Sequence, residues 1–314
     1  MSLPSKRQKT ARDIFGQFVD SASSPSYKEY FFEAAFMTIR PQHLFFDISV
    51  PEQFFESNQI EKLNEFLKLA NSKGLDLRYF FSLTRKTFIS NGLVKYTKYR
   101  DLTAQRFITG IDISGSLSEY QFRYDDIKPE VIAKSFSELF GLCKGQGLFL
   151  RIHAFESDNK GPFYDGLRYA IQAEKPSKHF EIRIGHVARL TPSWRQTIFE
   201  AWARGVNITV EINLASNLAL QPDLAANQII GNLTVPTDSA PEDWGSLRFR
   251  VGSDGRGILP ESSFDEQYEM IAERFRKLQG YGTCLLLEYA LQEQFQIEAE
   301  RANPSRPILI QTSN

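Results

Sequence analysis

Seven short runs of apolar, β-branched and aromatic residues punctuate the chain: HLFFDISV (43–50), LDLRYFFSL (75–83), RFITGIDIS (106–114), LFLRIHAF (148–155), FEIRIGHV (180–187), NITVEINLA (207–215) and LRFRVGS (247–253). Each has the length of a strand. Between them, IEKLNEFLKLANSKG (60–74), PEVIAKSFSELFGLCKGQG (129–147), PSWRQTIFEAWARG (192–205) and DEQYEMIAERFRKLQG (265–280) carry apolar residues at helical spacing, and several end on the Gly that closes a helix. Strand–helix alternation predicts parallel strands joined by right-handed crossovers, and the nearly continuous apolar strands predict burial on both faces. An open sheet and a closed (β/α)8 barrel both satisfy this pattern. A closed barrel of this type needs eight strands. Residues 10–40 offer two helical pieces, TARDIFGQFVDSAS and SYKEYFFEAAFMTIR, and no strand, so in a barrel the first strand is absent. The expectation is one domain over 1–314, with a helical segment at 1–40 leading into the first visible strand. TVPTDSAPEDWGS (234–246) reads as a long loop before the last strand, a common place for a lid.

Composition narrows the partners. With 37 Lys and Arg against 38 Asp and Glu, no net field favours nucleic acid or an anionic membrane, so a small or neutral partner is expected. Cys143 and Cys284 lie far apart and outside any CxxC spacing, which fits a reducing cytoplasm better than a disulfide framework. No apolar stretch approaches the ~20 residues that span a bilayer, and MSLPSKRQKT lacks the apolar centre of a signal peptide. No P-loop, dinucleotide fingerprint or GxSxG elbow is present. GSDGRG (252–257) has glycines enough to cradle a phosphate, but a simple turn explains it equally.

Chemistry concentrates where parallel strands end, because the loops there converge on one point while the strands hold them rigid. His153 and Glu156 end the fourth run, His186 the fifth, Glu211 with Asn213, Ser216 and Asn217 the sixth, and Asp254 the seventh; Asp112 and Gly115 end the third. His43 and His179 sit near strand starts instead. A single strand-end His is more often a hydrogen-bonded structural residue, and a single Asp more often a helix cap. Two His, a Glu and an Asp at one rim form a group that packing does not require. Imidazole and carboxylate there suit zinc or a similar divalent ion, which makes a bound water nucleophilic near neutral pH. A neighbouring Glu can then move protons.

The series GIDISGS (110–116), HAFES (153–157), RIGH (183–186), VEINLASN (210–217) and VGSDGRG (251–257) resembles, in order and spacing, the adenosine deaminase family of metal-dependent aminohydrolases. The resemblance implies a (β/α)8 TIM barrel and a divalent metal, usually zinc. It implies His153 and Asp254 as metal ligands, Glu156 as the acid that protonates the purine ring nitrogen, His186 as the base at the attacking water, and Gly115 as a backbone contact to the purine.

Four departures stand beside these matches. The HxH pair that ends the family's first strand occurs nowhere in this chain. Gly255 replaces a second Asp, Ser116 and Leu117 replace an acidic pair, and Phe155 replaces the Gly before the catalytic Glu, which puts a bulky side chain at the expected pocket mouth. His153 and Asp254 alone make two of the family's four main ligands, and stable zinc sites generally need three or four. The leading expectation is therefore metal-dependent hydrolytic deamination of a purine base or nucleoside, impaired by the loss of HxH. A catalytically inactive barrel serving as a binding or scaffold module is the alternative, and a related hydrolase with a reduced metal site is a third reading. Self-association stays open.

Overall fold

The computed structural model describes residues 45–55, 57–72, 76–91, 94–97, 101, 107–115, 127–156, 160–177, 180–220, 223–225, 248–251, 271 and 273. The two N-terminal helical pieces, the 234–246 loop, most of the predicted helix over 265–280, His43, His179, Cys284 and Asp254 lie outside them.

Each of the seven apolar runs forms a strand: β1 (Phe45–Pro51), β2 (Asp76–Thr84), β3 (Ile108–Ser114), β4 (Phe149–Ala154), β5 (Ile182–His186), β6 (Ile208–Ile212) and β7 (Arg248–Val251). They pair in chain order, every pair parallel. The helices are α1 (Ser57–Ser72), α2 (Arg85–Asn91), α3 (Val94–Thr97), α4 (Pro129–Gln146), α5 (Pro162–Ala173), α6 (Pro192–Ala203) and α7 (Leu214–Leu220). Helix α5 was not among the predicted ones, although Phe163, Tyr164, Leu167, Ala170 and Ile171 make a buried stripe on it. No helix among the described residues is long and apolar enough to cross a membrane.

One side chain shows that the sheet curls. Neighbouring strands stand about 4.8 Å apart, so β1 and β6 of a flat sheet would be separated by roughly 24 Å. The Arg151 guanidinium on β4 nevertheless bonds Ser49 on β1 and approaches Glu211 on β6 at 3.5 Å. Only a sheet bent around Arg151 permits both, which makes this a partial (β/α) barrel, with seven strands among the described residues.

Alternation along the strands separates two cores. Ile111, Ile113, Leu150, Ile152, Ile182, Ile184, Ile208 and Val210 are buried in the layer between sheet and helices. The opposite faces fill the barrel interior. At its N-terminal end, Phe80 and Phe149 stack at 6.3 Å, Arg183 lies over both rings at 5.3 and 4.7 Å, and Arg78 lies over Phe149 at 5.2 Å. Glu181 holds Arg183 at 3.3 Å and accepts from Thr209 at 2.6 Å.

Helix α4 follows its sequence signals closely. Pro129 starts it, Glu130 and Lys144 complement its dipole, and Gly147 closes it at φ 66°, its N–H donating to the Cys143 carbonyl. Cys143 is fully buried on its inner face, which pushes the thiol pKa up. Helices α4 and α5 meet at Gly166, where an added Cβ would stand 2.6 Å from Ile132 Cβ and 2.8 Å from the Pro129 carbonyl oxygen. Alanine raises helix propensity by about 1 kcal/mol, but overpacking a filled contact costs about 1–3 kcal/mol. Gly166→Ala is therefore expected to destabilise, seen as a lower urea midpoint; a higher midpoint would refute the close packing.

Candidate active site at the C-terminal rim

His153 ends β4 and His186 ends β5, and their side chains meet: His186 Nε2 lies 2.9 Å from His153 Nδ1. Glu156, just beyond β4, places Oε2 3.9 Å from His186 Nε2. Three of the predicted site residues are thus gathered at the C-terminal rim. Gly115 follows β3 at φ 93°, a conformation that strongly favours glycine. Asp254, the second expected metal ligand, lies outside the described residues.

The hydrogen bonds fix how the imidazoles carry their protons. Asn217 donates through Nδ2 to the His186 carbonyl and presents Oδ1 to His186 Nδ1, both at 3.0 Å. Nδ1 of His186 must therefore hold a hydrogen, and Nε2 accepts one from His153 Nδ1. His153 Nε2 faces Asp112 Oδ2 at 3.3 Å. The line of contacts runs from Asn217 through His186 and His153 to Asp112.

Asp112 is fully buried, and burial opposes its charge. The Arg151 guanidinium, His153 and the Ser49 hydroxyl together outweigh that cost and hold the carboxyl well below the usual carboxylate range. Arg151 Nη2 donates to Asp112 Oδ2 at 3.2 Å, and Ser49 and Arg151 also bond each other. Arg85, buried at the end of β2, donates to the His153 carbonyl and lies over the Phe163 ring at 5.0 Å. Arg151, Ser49 and Arg85 went unassigned in the sequence. Arg151 alone had a readable signal, since it stands two residues before His153 and so on the same strand face.

Phe155 is not at a pocket mouth. At φ 61° its backbone takes the left-handed turn that suits glycine, and this rotates the ring into the outer core, against Tyr164 at 5.1 Å and Trp194 at 4.9 Å. Its N–H donates to Tyr164 Oη at 3.2 Å, and its carbonyl accepts from the Arg189 N–H at 2.7 Å. His186 and Val187 are also left-handed, at φ 67° and 49°. Such turns in side-chain-bearing residues cluster at functional sites, where the surroundings over-determine them.

Among the described residues no group of three His, Cys, Asp or Glu side chains is placed to hold a metal ion. At the centre, Asp112 gives Oδ2 to a guanidinium and a hydroxyl while its Oδ1 is buried without a hydrogen bond among the described residues, and His153 lies between Asp112 and His186. These described donors do not fit a divalent cation.

No protein-family model and no curated protein matches the sequence. Among solved structures, an adenine deaminase from Arthrobacter aurescens superposes with a TM-score of 0.50 at 16% identity, covering 85% of this chain and 78% of that one. An uncharacterised TIM-barrel protein from Bordetella bronchiseptica matches at 12% identity with a TM-score of 0.42, covering 78% and 73%. At such identity the likeness to the adenine deaminase is one of fold alone, that of a (β/α) barrel.

Proposed function

We propose that this chain takes an aminopurine base or nucleoside at the C-terminal rim and deaminates it hydrolytically, at a reduced rate. Water adds to the ring carbon that bears the amino group, ammonia leaves, and the oxopurine remains. In this reading Glu156 hands a proton to the adjacent ring nitrogen, His186 takes one from the attacking water, and the Gly115 backbone contacts the purine. The observation that carries it is the gathering of His153, His186 and Glu156 from two strands within hydrogen-bond or ion-pair reach. The resemblance expects zinc, held by His153 and Asp254, to activate that water. The described donors do not fit it, and the reduced rate follows.

The second reading, a binding module without turnover, draws on the half-buried Arg151 among the carboxylates. One pair of measurements separates the two: ammonia release from adenine and adenosine, and calorimetric titration with the same compounds. Slow release with binding is the expected result. Binding with no ammonia would move the conclusion to the second reading, and neither would end both.

A further inference from the structure

We infer that Arg151 supplies, inside the barrel, the positive charge that a divalent ion would otherwise bring to Asp112 and Glu211, so that this layer of the described interior takes no metal. Asp112 and Glu211 are both buried, and a buried carboxylate without a counter-charge is strongly unfavourable. The Arg151 guanidinium reaches both, Nη2 to Asp112 at 3.2 Å and Nη1 to Glu211 at 3.5 Å, and it also bonds Ser49 and lies over the Phe80 ring at 5.6 Å. Strands β1, β2, β3 and β6 are thereby tied to β4 by one side chain.

Position sets the consequence. The Arg151 guanidinium stands between the Asp112 and Glu211 carboxylates, where an ion shared by them would have to sit. A divalent ion added to this layer would face a guanidinium that cannot release its proton. Histidine ligands can give up protons to a metal, whereas arginine can only move away. Arg151 is held in place by Ser49, Asp112, Glu211 and Phe80, so it does not move away at small cost.

This inference does not rest on deamination, and its test needs no purine. The full-length protein is stripped with chelator, then dialysed against zinc or cobalt. Bound metal is counted, the cobalt absorption recorded and the Tm measured with and without the ion. Wild type is expected to bind no stoichiometric metal and to keep its Tm. Arg151→Met is expected to melt lower in chelator, to bind zinc more tightly than wild type, and to regain Tm on adding it. Arg151→Lys, which keeps the charge, is the variant to use if Arg151→Met does not fold, and it is expected to stay metal-free. Stoichiometric, stabilising metal on wild type or on Arg151→Lys would overturn the inference. So would an Arg151→Met protein that is as stable as wild type in chelator and binds no more metal.

Discussion

Replacing Asp112 with alanine is expected to cost the fold about 3–5 kcal/mol, the range for breaking a buried ion pair and leaving one partner uncompensated. Asp112 is fully buried and faces Arg151, Ser49 and His153 with one carboxylate oxygen, so its loss strands the Arg151 guanidinium inside the barrel. Chemical denaturation at pH 7 measures it, and a loss below about 1 kcal/mol, the range of exposed pairs, would show that solvent screens the network. The linkage has a definite sign. The carboxyl is depressed in the folded state from 3.8 in the unfolded chain, so its contribution is complete above that value and falls away as pH drops below it. Wild type should lose stability progressively below about pH 4, and Asp112→Ala should lack that part of the acid dependence.

Glu156→Gln is expected to lower ammonia release by about 100- to 10,000-fold, the usual worth of a positioned general acid. Glutamine keeps the length and hydrogen-bonding reach of the side chain but has no carboxyl proton to give. Purine affinity should change little, because Glu156 is partly exposed at the rim and its ion-pair contact with His186 is a long one. Steady-state ammonia assays beside titration of the same ligand separate these effects. Unchanged turnover would remove Glu156 from the proton-transfer role and with it the deamination reading.

Much of the fold was legible because its strands are buried on both faces. All seven apolar runs became strands at the expected places, and even the Gly147 closure of α4 was readable. Helix α5 was missed although its apolar residues keep helical spacing: it is only 12 residues long and carries Gly166, a weak helix former that is there for close packing on α4. At the site, His153, Glu156 and His186 could be found because strand ends converge. The Arg151 network could not, since Ser49 and Glu211 are 102 and 60 residues away in sequence and become its neighbours only when the sheet curls. The side chain of Phe155 was misplaced because the resemblance sets it where the family has a pocket Gly, whereas a left-handed turn at φ 61° sends the ring into the outer core.

The guanidinium–aromatic stack of Arg78, Phe80, Phe149 and Arg183 has its own consequence for traffic. Arg78, Phe80 and Arg183 are almost wholly shielded from solvent, and their interlocked planes fill that layer of the described interior. A guest in the described part of the barrel cannot share that layer, and the room for one lies toward the opposite rim, where Glu156 is partly exposed.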